Sequence, residues 1–341
     1  MHKPVGLKML AEELGVDVST VSRALRDDPR VKSETRRAVQ DLAQRYDYRP
    51  NAAARALRGG KSGRVAVLLS PPQQRFASPI FLELLSTLDQ HLRDKGLHLA
   101  VFAARTRDEE ASIVRQIVDE RLADGLILGR TRKKDERVQL LLKAGLPFIT
   151  FGTTDWPDRH PLVEIDYAEA GRIAIGALGE TPAEETHVLS APEGLNFADN
   201  YVLGALQKAA SRGDPAPTVC RIEMTEKAGE ETAARILADG KRVAFACIQD
   251  SIAFGVFRAA ASAGRVVGRD LTVFGGQNFP GSEHTAPPLS TFSTEDTRVA
   301  ELLSKVMIRR LEASDATPSG GFERHEIKPT PLLRQSHILR T

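Results

Sequence analysis

From Arg64 to Phe274 the chain alternates short β-branched or aliphatic runs with stretches of helical periodicity. Apolar runs at 65–69, 97–103, 125–128 and 148–151 are separated by helical stretches at 80–95, 109–121 and 136–144. The second half repeats the scheme, with runs at 187–190, 218–224, 244–247 and 271–274 and helices at 169–178, 198–210, 229–237 and 252–263. Strands that alternate with helices of about 10–15 residues form βαβ units, whose strands run parallel because each crossover helix returns the chain to the same sheet end. So many units predict two doubly wound, parallel-sheet lobes. A ligand cleft then lies outside the strand C-termini. Residues 313–321 read as a surface loop.

The first 60 residues carry a different pattern. Residues 7–14 form a short amphipathic helix that Gly15 stops, and Asp17 is placed to cap a second helix at 18–26. Ser33 is expected to cap a third helix, Pro50 breaks the chain, and Asn51 caps a short helix at 52–58 that Gly59 and Gly60 end. Two helices joined by a tight turn have helix-turn-helix geometry. Ala11, Leu14, Val16, Val21 and Leu25 can pack together, leaving Val18, Ser19, Ser22 and Arg23 outward. Short side chains let such a helix lie deep in a major groove, where an arginine reaches a guanine edge with two hydrogen bonds. Thr20, Ser22 and Thr35 are candidates for phosphate contacts. A helical hairpin with a solvated polar face is the alternative.

Charge fits the first reading, and fits equally a head made basic for solubility alone. The net +2 is uneven: residues 1–64 hold 14 Lys/Arg against 8 Asp/Glu, and the remainder holds 33 against 37. A basic head on a mildly acidic body is the layout of a polyanion-binding module on a separate core.

The stretch 10–25, LAEELGVDVSTVSRAL, with Tyr48-Arg49-Pro50-Asn51 and Ala54-Arg55-Ala56-Leu57 after it, resembles the head of the lactose/galactose repressor (LacI/GalR) family. The resemblance continues through 124–128, 249–255 and 287–291. It implies an all-α helix-turn-helix head on an α/β core similar to a periplasmic sugar-binding protein. The expected division is 1–50 for the DNA-binding head, 51–63 for a hinge helix and linker, and 64–341 for a two-lobed effector-binding and dimerisation core. The implied function is sequence-specific transcriptional regulation, as a repressor controlled by a small sugar-like effector. In the head, the resemblance puts operator preference at Val18 and Ser19 and base reading at Arg23. It makes Asn51 a hinge-helix cap, Leu57 a minor-groove wedge with Arg58 behind it, and Lys8, Arg26, Arg30 and Ala54 further members of the DNA-facing set. Gly6 stands where the family commonly has Thr, and Asp17 where it has Ser.

For the core, polar groups at strand ends give Ser78, Arg130, Asp166, Tyr201, Asp250 and Gln277 as candidate effector contacts. Asp250 could instead only cap the helix that begins near Ile252, and Arg130 could be solvated beside Arg132, Lys133 and Lys134. Tyr201 and Gln277 stand where many relatives carry an arginine and an aspartate. Both changes remove charge, which points to a larger neutral sugar such as a disaccharide.

The eight histidines show no metal-ligand spacing, and no G-x-S-x-G or phosphate loop is present. The expectation is a non-enzyme without cofactor or metal. Cys220 and Cys247 read as buried free thiols. The opening Met1-His2-Lys3-Pro4 leads into a polar segment, so neither a signal peptide nor a membrane span is expected, and the placement is cytoplasmic. A periplasmic sugar carrier, the other reading of the core, would have no use for the head. The expected partners are double-stranded operator DNA, a neutral sugar and a second copy of the chain. A dimer is favoured over a tetramer because no heptad tail succeeds the core.

Overall fold

A computed structural model describes residues 6–25, 28–46, 48, 61–69, 79–180, 183–313 and 321–339. The chain divides into two compact units, 1–62 and 63–341.

The first unit is helical. Helix α1 (Leu7–Leu14) begins at Gly6 without a side-chain cap and ends at Gly15, whose φ of 61° is the left-handed turn that glycine adopts at little cost. Asp17 caps α2 (Val18–Ala24) by accepting from the Ser19 N–H at 2.7 Å. Helix α3 (Ser33–Arg45) starts one residue away from expectation: Lys32 holds the cap position with no side-chain hydrogen bond, and Ser33 is already helical. Leu10, Ala11, Val21, Ala24, Val39 and Leu42 are buried together, and Leu14, Val16 and Leu25 pack around them. Burying an aliphatic side chain of this kind stabilises by about 1.5–3 kcal/mol, so this small core depends on a few residues.

The second unit holds two parallel sheets. In chain order its elements begin β1 (Arg64–Leu69), α4 (Pro79–Arg93), β2 (His98–Ala103), α5 (Arg107–Asp119), β3 (Gly125–Leu128), α6 (Glu136–Ala144), β4 (Phe148–Phe151) and β5 (Leu162–Ile165). Next come α7 (Tyr167–Leu178), β6 (Glu185–Ser190), α8 (Asn196–Arg212), β7 (Thr218–Arg221), α9 (Glu226–Leu237), β8 (Val243–Cys247), α10 (Asp250–Ser262) and β9 (Leu271–Phe274). The last are β10 (Thr291–Ser293), α11 (Asp296–Glu312), β11 (Arg324–Ile327) and β12 (Thr330–Leu332). The first lobe is a six-stranded sheet in the order β11-β5-β4-β3-β1-β2, the second a four-stranded sheet in the order β7-β6-β8-β9. Both are parallel throughout. Their central strands are buried on both faces, as crossover helices on each side require.

Two elements at the C-terminal end return to the first lobe. Helix α11 packs on α4 and on β3, β4 and β5, and β11 completes the first sheet beside β5. The chain therefore passes between lobes near 165–167, 293–296 and 327–330, with the antiparallel β10–β12 pair at the last two passages. In the second lobe, α7 and α8 approach backbone to backbone. A Cβ on Gly204 would overlap the Ala168 carbonyl, and one on Gly171 would overlap that of Tyr201.

The hinge residues Asn51, Ala54, Leu57 and Arg58, with Arg26, Ser78 and most of the expected loop at 313–321, lie outside the described residues.

Candidate functional site: a helix-turn-helix face and an interlobe cavity

On the head, α2 presents Ser19 and Arg23 to solvent, while Val18, Thr20 and Ser22 are half-buried. The burial of Val21 and Ala24 turns that face outward. Lys8 is exposed on α1, and Thr35 is half-buried in the first turn of α3. Arg30 is engaged with Asp28 at 2.7 Å, and this pairing holds the Asp28 carboxyl well below the usual carboxylate range. The Asp17 carboxyl is also lowered, first by its hydrogen bonds from Ser19, so the cap carries a full negative charge near the start of α2. A negative charge there suits the helix dipole.

In the core, a cavity of about 130 Å³ lies between the lobes. The first lobe supplies Phe81 and Leu84 from α4, Arg130 from the loop after β3, Phe151 from the end of β4, and Glu164 from β5. The second supplies Tyr167 at the start of α7, Asn196, Phe197 and Asn200 from the first turns of α8, Met224 after β7, Gln249 after β8 and Gln277 after β9. Asp296, the first residue of α11, also faces the cavity. All but the α4 residues come from strand C-terminal ends or from the loops and helix starts just beyond them, where parallel sheets gather ligand contacts.

The lining combines rings with amides. Tyr167 packs on Phe197 at 5.3 Å between centroids and edge-on to Phe292 at 6.3 Å. Gln277, with a φ of 78°, donates through Nε2 to the Tyr167 hydroxyl at 2.8 Å. Asn196 joins the lobes by donating to the Thr153 carbonyl at 2.6 Å. Two polar atoms at this site are buried with no hydrogen-bond partner, Arg130 Nη1 and Gln249 Oε1. One can only donate and the other only accept. Burial lowers the Arg130 guanidinium from its ordinary value, with the nearby Glu110 charge opposing. Burial also raises the Asp296 carboxyl to about 6, against a hydrogen bond from Thr294.

Of the expected effector contacts, Arg130 and Gln277 line this cavity and three others do not. Asp250 is fully buried, and its carboxylate accepts from the N–H groups of Gly276 and Phe279 and the hydroxyls of Ser282 and Thr291. That saturates its oxygens inside the second lobe. Asp166 caps α7 by accepting from the Glu169 N–H at 2.9 Å and faces Arg172. Tyr201 is fully buried beneath the cavity against Phe292, and burial holds its phenol well above the usual range. The aromatic wall, Asn196, Asn200, Gln249 and Asp296 were not anticipated. Their signal was position, immediately after a strand or in the first turn of the next helix.

Both cysteines are free thiols, Cys247 buried and Cys220 half-buried. Among the described residues no cluster of His, Cys, Asp or Glu could hold a metal ion, and no helix is long and apolar enough to cross a membrane.

Comparison with known proteins agrees with both halves. Residues 7–51 match the lacI family of bacterial regulatory proteins, and residues 167–337 match the periplasmic binding protein-like domain. The chain is 30% identical over 276 residues to the HTH-type transcriptional regulator AglR of Rhizobium meliloti, covering 79% of this chain and 77% of that one. Among solved structures, a lac repressor dimer bound to operator and the anti-inducer ONPF superposes with a TM-score of 0.82 at 19% identity, covering 98% of this chain and 100% of that one. A transcriptional regulator CelR–cellobiose complex superposes with a TM-score of 0.73 at 21% identity, covering 97% and 99%. The chain belongs to the LacI family of bacterial transcriptional regulators.

Proposed function

We propose that this regulator is a homodimeric repressor whose operator affinity is set by a neutral sugar bound between the core lobes. The cavity lining carries the reading. Phe81, Phe151, Tyr167 and Phe197 offer ring faces to the C–H surfaces of a pyranose, while Asn196, Asn200, Gln249, Gln277 and Arg130 offer donors and acceptors to hydroxyls. Amides outnumber charges, which favours a polyhydroxylated molecule over a charged one. The solved relative with cellobiose supports this ligand class.

The head reads DNA through α2, with Arg23 on base edges, Val18 and Ser19 beside it, and Thr20, Ser22, Thr35 and Lys8 toward phosphates. The resemblance adds Arg26 and Arg30 to the DNA-facing set. The resemblance assigns Asn51–Arg58, with Ala54 among them and Leu57 as wedge, to the minor groove when two copies dock side by side on a pseudo-palindrome. The effector changes lobe closure and thereby the spacing of the two hinges. Ligand and operator affinities are linked by one coupling free energy. The activity is binding, with no chemical step, and the cytoplasm is its place of action.

The test is a thermal-shift comparison of the full chain with cellobiose and maltose against glucose 6-phosphate and a purine base. A ligand at about 100 times its Kd stabilises the folded state by about 2.7 kcal/mol, a readily measured rise in Tm. The expected result is a rise with a neutral disaccharide and none with the anion or the purine. A rise with the sugar phosphate alone would overturn the neutral-sugar assignment.

A further inference from the structure

The loop between β3 and α6, residues 129–135, carries Arg130 into the cavity and is held from behind by buried charges. Arg137 is 1% exposed and pairs with Glu110 at 2.7 Å and with Asp135 through two bonds of 2.6 and 2.9 Å. Its Nη2 also donates to the carbonyl of Arg130 at 3.1 Å and to that of Gly129 at 3.4 Å. Arg132 pairs with Glu110 at 2.8 Å, and its N–H donates to Asp135 at 3.1 Å. Arg130 itself has a φ of 51°, a left-handed backbone uncommon for a residue with a Cβ. Such a conformation persists only where the surroundings over-determine it.

The balance of charge is informative. Three arginines meet two acids within the cluster, both engaged by Arg132 and Arg137, and Glu223 adds a favourable charge near Arg130 without an ion pair to it. Arg130 is the one of the three that makes no ion pair among the described residues, and its Nη1 is the buried donor without a partner. Buried ion pairs are costly to desolvate, and an apolar cluster of equal volume would serve stability at least as well. What this cluster supplies instead is a fixed position for two carbonyls and, through them, for one guanidinium.

We propose that Arg137, braced by Glu110 and Asp135, is a positioning residue for effector recognition: it locks the backbone at 129–130 so that the Arg130 guanidinium meets effector oxygens. This rests on reading the cavity as the effector site. A guanidinium held in this way presents parallel N–H donors to two neighbouring hydroxyl oxygens, and its placement discriminates among sugars that differ at those positions. Arg137 acts only through Arg130.

The experiment has two arms, both on the full chain. Arg137→Met leaves the buried Asp135 without an ion-pair partner and Glu110 with Arg132 alone, and can fail to fold. The test therefore uses the triple variant Glu110→Gln/Asp135→Asn/Arg137→Met, which leaves no buried acid unpaired and in which Asn still caps α6. In the ligand-free arm, a crystal structure of the triple variant is expected to show Arg130 out of the left-handed region and its head out of the cavity. An unchanged loop would overturn the proposal whatever the effector is. In the binding arm, calorimetry with cellobiose and maltose is run on wild type, the triple variant, Arg130→Ala and the combination. The triple substitution should cost about tenfold or more in affinity when Arg130 is intact, and less than about twofold in the Arg130→Ala background. Equal losses in both backgrounds would show a general structural role and overturn the proposal. If neither sugar binds the wild type, the neutral-sugar reading fails, and the ligand-free arm still decides the positioning role.

Discussion

The Asp250 carboxylate accepts four hydrogen bonds, from two backbone N–H groups and two hydroxyls, and is closed off from the cavity. Its neighbour Gln249, in extended conformation before α10, is the one that lines the cavity. One residue of register separates the two roles, and a sequence motif alone does not resolve them, because an acid at a helix start caps, staples or binds with the same local pattern. Asp250→Ala removes the acceptor for four buried donors. Since each unsatisfied donor costs about 1–3 kcal/mol, urea unfolding should show a loss of about 3 kcal/mol or more. Wild-type stability with abolished effector binding would return Asp250 to the effector site. Arg23 shows the opposite relation: its outward position on α2 was legible from the apolar spacing of Val21 and Ala24 and is exposed in the structure. Arg23→Ala should weaken specific operator binding by about 1–3 kcal/mol while nonspecific binding is nearly unchanged. Parallel titrations on operator and scrambled DNA measure the difference, and equal losses on both would leave Arg23 a phosphate contact.

At the scale of elements, the alternation of short apolar runs and helices located most strands of both sheets, several to the residue, because strands buried on both faces leave a predominantly apolar run, broken at most by a threonine in β4 and β9. Strands β5, β10, β11 and β12 escaped because charged or polar residues or proline interrupt each one: Glu164 in β5, Thr291 and Ser293 around Phe292 in β10, Arg324, His325 and Glu326 in β11, and Pro331 in β12. Helix α11 has a clear apolar stripe through Val299, Leu303, Val306 and Met307, yet nothing local shows that it packs in the first lobe, since that destination depends on contacts across the whole chain. The α7–α8 pair is tight because glycine stands at both crossing points, and Gly204→Ala forces the helices apart. Overpacking of this kind costs about 1–3 kcal/mol, and thermal denaturation should show it. An unchanged Tm would mean the crossing is looser than the backbone positions imply. Asp296 gives α11 a pH signature. Its carboxyl is raised by burial from 3.8 to about 6, so the folded state holds this proton more tightly than the unfolded chain does. That contribution is fully present below the unfolded value, fades as pH rises from 3.8 to about 6, and is constant above. Asp296→Asn cannot ionise, so its stability relative to wild type should rise across that window and then level off. A pH-independent difference in unfolding free energy would show that Asp296 titrates alike in both states.

At the scale of the molecule, three passages of chain between lobes and a cavity floored by both make lobe closure the natural variable for a ligand to bias. A ligand shifts that variable only by its differential affinity for two states. The division into a helical head and an α/β core was readable from the change of periodicity near residue 64, and the cleft from the location of strand ends. The ligand-contacting set was only partly readable, because burial decides which of several polar residues near a strand end faces inward. Arg130 and Gln277 face the cavity, while Tyr201 and Asp166 are drawn into the second lobe and a helix cap. The central claim is that effector and operator report to one equilibrium, and fluorescence-anisotropy titration tests it directly. An operator is selected from a pseudo-palindromic DNA library, and its Kd for the full chain is measured with and without a saturating neutral disaccharide. Linkage predicts a change of about 5–150-fold, matched by an equal change in disaccharide affinity when the operator is saturating. A disaccharide that binds the core and leaves operator affinity unchanged would contradict the account.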